Sequence, residues 1–464
     1  MDKRIFCLVA ALLALSASFT TASADQVDAY IAARMSELHL PGLSLAVVRD
    51  GRIVKLQGYG SANLELGVPV TVATRFEIGS ITKQFTAAAV MMLVEEGKVS
   101  LDERISLYFP QLPESWGPIT VRHLLTHSSG IQEYLLVENL LEESARPGTS
   151  HDAIAELFFA RLKSEFRPGQ TWSYSNSGYL LAGNIIEKVS GKPYFQFLDE
   201  RIFKPLKMSE TRSGEPRTLL PSRAAGYEWR EGRFENRPPL TENAYSAGSI
   251  VTTPRDLAKW DAAIAGGKLL KKTSWEQTLT PLRISGALAP FNYGFGWWVG
   301  QYHGRRFMTH GGGTPGFSSF ITRFVDDRIT IIVTTNHSDR VLDHLAHDIA
   351  GMYVPGLSRP KDPRADPDPA RSKRLKNILL DLGTGSATAE PFTPPFQRFL
   401  TTGGGKGVWQ WVLADGPMTS FTFSEAERTD DAEVIRFKAV LGAVTRWFSF
   451  TLTKDGKIAQ VAWW

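Results

Sequence analysis

Cysteine is almost missing from this 464-residue chain: the only one stands at position 7. The rest of the sequence therefore excludes disulfides, cysteine nucleophiles and thiolate metal sites. Long apolar runs are also lacking. Ile5 to Leu15 is too short for a comfortable membrane span, and no later segment is long and apolar enough to be one. Nor is there an excess of one charge. The formal net charge is +4 and the basic residues are dispersed, which argues against nucleic acid as the main partner. Neither His-Glu-x-x-His nor Gly-x-Ser-x-Gly occurs, so a zincin helix and an α/β-hydrolase elbow have no support. A metal-hydrolase reading would rest on His344-Leu345-Ala346-His347-Asp348, a spacing that on an amphipathic helix reads as polar surface.

The N-terminus has the form of a secretory signal over residues 1–24. Lys3 and Arg4 precede the apolar run, and Ala22-Ser23-Ala24 offers a small-x-small cleavage site. Cys7 lies near the start of the apolar run rather than at that site, which argues against a lipoprotein. The expectation is an exported protein, periplasmic or secreted, with no stable membrane span. About 440 residues follow, too many for one small core.

Hydrophobic periodicity divides them. Val27 to Met35 reads as a short amphipathic helix, and Leu43 to Val48 as a strand that turns at Asp50-Gly51 and returns through Ile53 to Tyr59. Signals over about 80–245 are mostly helical. After the helix Arg255 to Ala265 come strands at Arg305 to Met308, Phe317 to Val325 and Ile329 to Thr335, then the helix Val341 to Tyr353. This order predicts an antiparallel sheet assembled from both ends of residues 25–354, flanked by helices, with an inserted helical subdomain and a cleft between. Prolines recur through a linker at 355–370. Residues 371–464 read as a small α+β domain with one helix, Ser372 to Leu380, and four alternating segments ending at Trp464.

Within the helical part, Ser80-Ile81-Thr82-Lys83 stands where an extended segment becomes an apolar helix. Serine and lysine one turn apart project from the same side, and an amine there can take the hydroxyl proton. The helix N-terminus disfavours a cation, so the neutral amine gains ground there. The rival reading is a serine N-cap followed by an exposed lysine. A second Ser-x-x-Lys, at Ser358 to Lys361, is broken by Pro360 and leads into no helix.

A Ser–Lys pair needs a second proton carrier, oxyanion donors and a substrate-positioning group. Tyr174 and Asn176 sit on a loop at a predicted helix start. The phenol, near an ammonium, would ionise more easily and relay protons. Met308-Thr309-His310-Gly311-Gly312-Gly313 ends a strand with glycines that allow close backbone approach.

In this order, these segments resemble the serine β-lactamase and penicillin-binding protein superfamily, in its β-lactamase-related branch of class C β-lactamases, D-Ala-D-Ala carboxypeptidases, D-aminopeptidases and esterases. The likeness runs from Val27 to Tyr353. It takes in Phe76 to Lys83, Leu101-Asp102-Glu103, Leu124 to Gly130 and Tyr174-Ser175-Asn176. Pro205 to Met208 with Thr211, Tyr293 to Trp297 and His310-Gly311-Gly312 complete it. The resemblance implies that Ser80 is the acylated nucleophile, Lys83 its proton partner and Tyr174 a proton shuttle. It further implies that Asn176 binds the substrate's amide carbonyl, that His310 and Gly312 form the third motif and that Gly313 supplies an oxyanion N–H. No cofactor or metal is implied, His127 is structural, and the base is either Lys83 or Tyr174.

Relatives that destroy β-lactams carry Lys-Thr-Gly or Lys-Ser-Gly where this chain has His310-Gly311-Gly312. Histidine is mostly neutral at pH 7, so the cation that attracts a carboxylate is missing unless Arg305, Arg306 or Arg323 replaces it. The sequence thus predicts an acyl-enzyme hydrolase of small esters, amides or D-amino-acid peptides, weak against β-lactams. The alternative is a penicillin-recognising sensor without turnover.

Overall fold

Leu43, Leu45 and Val47 point to one side of a buried strand and Ala46 and Val48 to the other, and each set enters a different hydrophobic cluster. A strand buried on both faces must lie inside a sheet covered by helices on both sides. The computed structural model of the protein has that arrangement. It describes residues 21–463, apart from 141–142, 144–149, 239–243, 284–291, 339–341, 359–363, 415, 429–431 and 443. Most of the expected signal segment thus lies outside the described residues, and the first helix runs over Thr21–Glu37.

The strands in chain order are β1 (Gly42–Arg49), β2 (Arg52–Asn63), β3 (Val68–Pro69), β4 (Phe76–Glu77), β5 (Arg212–Ser213), β6 (Tyr227–Arg230), β7 (Arg233–Asn236) and β8 (Ile250–Thr252). After them come β9 (Trp298–Tyr302), β10 (Arg305–Thr314), β11 (Phe317–Phe324) and β12 (Ile329–Thr335). The principal sheet has seven strands in the order β3-β2-β1-β12-β11-β10-β9, and each pairing is antiparallel. Its ends meet in the middle: β1 pairs with β12, Leu45 opposite Val333. Asp50 and Gly51 turn the first hairpin with φ of 52° and 74°, as a two-residue type I′ loop requires.

Helices Thr21–Glu37 and Leu342–Tyr353 cover one face with Val27, Ile31, Leu345 and Ile349. Helix Pro254–Ala265 and the inserted subdomain cover the other, around the fully buried helix residues Phe85, Ala88, Ala89 and Leu93. The insertion is built on helices Thr82–Glu95, His151–Arg161 and Asn176–Ser190. It is not helical throughout: β5 and the β6–β7 hairpin lie in residues 80–245. β4, β5 and β8 form a small sheet that leads the chain into Ser80.

Two further differences concern the sheet. β3 and β9 have no counterpart among the expected strands. β10 does not stop before the glycines but runs to Thr314, because Gly311, Gly312 and Gly313 keep ladder partners in Phe320, Ser319 and Ser318.

Pro355–Leu357 forms a short turn, and a helix begins at Pro369. The C-terminal domain has helices Pro369–Thr384, Pro394–Thr401 and Gly403–Val412. They cover an antiparallel sheet of β13 (Met418–Arg428), β14 (Ala432–Leu441), β15 (Val444–Thr453) and β16 (Ile458–Trp463). Leu379, Trp409, Ile435, Phe437, Phe448 and Phe450 make a core separate from the first. No helix among the described residues is long and apolar enough to cross a membrane.

Candidate active site

Ser80 lies in a tight turn, Gly79–Ile81, between β4 and helix Thr82–Glu95. The residue that opens the helix is Ile81, and no side chain caps it. The N-cap reading of Ser80 therefore fails: its hydroxyl is directed elsewhere. Lys83 Nζ donates to Ser80 Oγ at 2.9 Å, to Asn176 Oδ1 at 2.7 Å and to the carbonyl of Ala247 at 2.8 Å. The lysine is fully buried. Burial pushes its pKa down to about 7, against the pull of Glu133, which favours the ammonium. The rival picture of an exposed lysine is excluded by this geometry. In the second Ser-x-x-Lys, Ser358 Oγ donates to the Gly351 carbonyl and Lys361 lies outside the described residues.

Tyr174 completes the group. Its phenol lies beside Ser80, and its ring lies 4.9 Å from Lys83 Nζ. The expectation that the phenol ionises more easily is reversed. Burial, with Glu133 adding to it, raises its pKa against the opposing effect of Ser80, so Tyr174 stays protonated.

Asn176 opens helix Asn176–Ser190. Its Nδ2 donates to Glu133 Oε1 at 3.2 Å, which turns its Oδ1 toward Lys83. Its backbone N–H donates to Glu133 Oε2. One hydrogen on Nδ2 is left for a substrate carbonyl. Burial raises the pKa of Glu133, while the N–H donors of Asn176 and Leu135 and the charge of Lys83 oppose that. Glu133 is a site residue that sequence reasoning missed.

The loop with Tyr174 is held by His127, whose own φ of 57° marks a sharp turn. The His127 carbonyl accepts from Ser173 N–H at 2.9 Å, and its Nδ1 accepts from Ser175 N–H at 3.1 Å. The ring lies 4.2 Å from that of Tyr174. Burial, Lys83 and His310 hold the imidazole neutral.

His310 is also buried and neutral. Its Nδ1 donates to the Gly311 carbonyl at 2.6 Å, and its Nε2 accepts from Tyr293 Oη at 2.9 Å. Burial, assisted by Lys83, lowers its pKa to about 3. Both ring nitrogens are thus engaged within the protein, and His310 brings no positive charge to the third motif. The arginines do not supply one. Arg305 pairs with Asp327, Arg306 with Asp326 and Arg323 with Asp261.

Glycine is needed where β10 meets the Ser80 turn. A Cβ at Gly312 would lie 1.9 Å from the Ile78 carbonyl oxygen, and one at Gly79, which has φ of 47°, would lie 2.6 Å from Gly313 N. That closeness brings Gly313 against the turn that holds Ser80, and the backbone N–H groups of these two residues are the candidate oxyanion donors. Gly313 itself is exposed. The buried Glu77 braces this junction, accepting from Thr314 Oγ1 at 2.8 Å and from Arg223 Nη2 at 3.0 Å.

His344 and His347 are not polar surface. His344 is buried with its ring 6.3 Å from Trp447, and His347 packs among Tyr302, Phe320 and Phe324. Among the described residues, no three His, Cys, Asp or Glu side chains are grouped to hold a metal ion.

A serine one helical turn from a buried lysine, with a tyrosine beside them and candidate backbone donors, is an arrangement suited to a serine hydrolase. The chain belongs to the Beta-lactamase family, which it matches over residues 27–351. It is 28% identical over 375 residues to penicillin-binding protein 4* of Bacillus subtilis, covering 76% of this chain and 82% of that one. It is 27% identical over 317 residues to a D-aminopeptidase of Gluconobacter oxydans, covering 67% of this chain and 59% of that protein. Among solved structures, D-amino acid amidase of Ochrobactrum anthropi with D-phenylalanine aligns with a TM-score of 0.62 at 26% identity, covering 72% of this chain and 99% of the other. The octameric penicillin-binding protein homologue of Pyrococcus abyssi shares the fold over 95% of this chain and 98% of its own, with a TM-score of 0.62 at 23% identity.

Proposed function

We propose that this protein is an exported hydrolase that forms an acyl-enzyme on Ser80 from a small amide or ester whose acyl part carries an α-ammonium. D-Amino acid amides and short D-peptides are the preferred class. The observation that carries the reading is the charge pattern around the nucleophile. A carboxyl group, Glu133, stands beside Asn176, while the third motif holds a neutral His310. Such a site attracts a cation and, in His310, offers no positive charge at its third motif to hold a carboxylate, the reverse of what a β-lactam or a D-Ala-D-Ala terminus requires. Relatives named D-aminopeptidase and D-amino acid amidase support the D configuration.

The chemistry follows from the protonation states. Neutral Lys83 takes the Ser80 proton as Oγ attacks the substrate carbonyl, and the N–H groups of Ser80 and Gly313 receive the oxyanion. Tyr174, a neutral phenol beside Ser80, hands a proton to the leaving amine or alcohol and recovers one from Lys83. Water then attacks the acyl-enzyme, the proton returns to Oγ, and the acid is released.

Intact-mass spectrometry tests the first step. A fluorophosphonate should add once to the wild type and not to Ser80→Ala. A panel of D-amino acid amides, p-nitrophenyl esters, D-Ala-D-Ala peptides and nitrocefin tests the second. Turnover of the amides with little of nitrocefin is expected. A penicillin adduct that persists without turnover of any substrate would make the chain a sensor instead.

A further inference from the structure

The four residues ahead of Tyr174 are gripped by the C-terminal domain. Thr171 Oγ1, buried, donates to the Pro395 carbonyl at 3.1 Å. Ser173 Oγ donates to Thr402 Oγ1 at 3.4 Å, and Arg398 Nη2 donates to the Gln170 carbonyl at 3.3 Å. Between them, Trp172 packs against Phe399 with ring centroids 6.3 Å apart. All four partners come from helix Pro394–Thr401 and the residue after it. Thr402 is itself fixed: its hydroxyl donates to the Phe399 carbonyl at 2.8 Å and accepts from Gly405 N–H at 3.0 Å.

Two domains that were merely tethered would have no reason to meet at this stretch. Here the grip falls on consecutive residues of a loop whose next residues are Tyr174 and Asn176. The other side of that loop is held by His127 through Ser173 and Ser175. We propose that the C-terminal domain is a positioning element of the active site, and that its segment Pro394–Thr402 sets the placement of Tyr174 and Asn176. The inference rests on the roles given to those two residues above. A loop carrying a proton relay tolerates little displacement, since shifts near 1 Å cost about 100-fold in rate.

The test uses the full chain with Arg398→Ala and Phe399→Ala combined, and Thr402→Val as a milder second variant. Hydrogen exchange over 170–176 should quicken by about tenfold, while exchange over Thr82–Glu95 stays as in the wild type. For a D-amino acid amide, kcat should fall by about tenfold or more with KM nearly unchanged. His303→Asn, at the separate contact of His303 with Glu425 (3.6 Å), should alter neither. Unchanged exchange over 170–176 in both variants overturns the proposal, as does faster exchange with wild-type kcat. Absence of a fluorophosphonate adduct on wild-type Ser80 would instead overturn the reading on which it rests.

Discussion

Ser175 donates its backbone N–H to His127 Nδ1 across 3.1 Å, a bond between two buried residues. Ser175 lies between Tyr174 and Asn176, so the imidazole fixes both. His127→Ala removes the acceptor and leaves alanine at a φ of 57°. Asparagine tolerates that backbone and brings an acceptor oxygen. We expect His127→Ala to lower kcat by about 100-fold, and His127→Asn to recover much of it. Equal loss in both would mean that the ring's packing, not its hydrogen bond, matters.

Lys83 gives the reaction its pH dependence. Below its pKa the ammonium cannot accept the serine proton, so acylation should rise about tenfold per pH unit and level off above about 7. The phenol of Tyr174, with its raised pKa, adds no limb near neutrality. Stopped-flow acylation between pH 5 and 9 checks this, and a rate that falls through neutrality would refute it.

Glu133→Gln removes a negative charge that favours the Lys83 ammonium. The limb should therefore move to lower pH. KM for D-amino acid amides should rise by about 10-fold or more, while an uncharged p-nitrophenyl ester is little affected. A uniform loss on both substrates would reduce Glu133 to an anchor for Asn176.

The three glycines of β10 are not equivalent. Gly312→Ala forces a Cβ into the Ile78 carbonyl and should cost about 100-fold or more in kcat by spreading the oxyanion donors. At Gly311 a Cβ meets the Phe320 ring at an ordinary 3.4 Å, so Gly311→Ala should stay near wild type. Parallel kinetics on the two variants separate a steric requirement from a general one for flexibility.

Where the chain signals locally, the sequence was legible. The Asp50-Gly51 hairpin, the helix after Ser80 and the β-branched and aromatic runs of β11 and β12 all rest on short-range patterns. Ser80, Lys83, Tyr174 and Asn176 could be gathered because the resemblance joined motifs far apart in the chain. Glu133 could not: a lone glutamate in a loop carries no spacing, and its meaning comes from Asn176 folding onto it. The helix Gly403–Val412 was hidden for another reason. It opens on Gly403-Gly404-Gly405, against intrinsic propensity, and tertiary packing of Trp409 and Val412 overrides that. His344 and His347 misled because Trp447 and the Tyr302 cluster pack on their helix where its polar residues were read as facing water.

The pairing of β1 with β12 has a consequence for how the molecule is made. Leu45 leaves the ribosome with half of its hydrogen-bonding edge bare, and its partner Val333 emerges roughly 300 residues later, about 15 to 60 seconds at ordinary rates of synthesis. Through that interval the first hairpin is an apolar template without a mate, and a chain that knits its sheet last must be kept from knitting it to a neighbour.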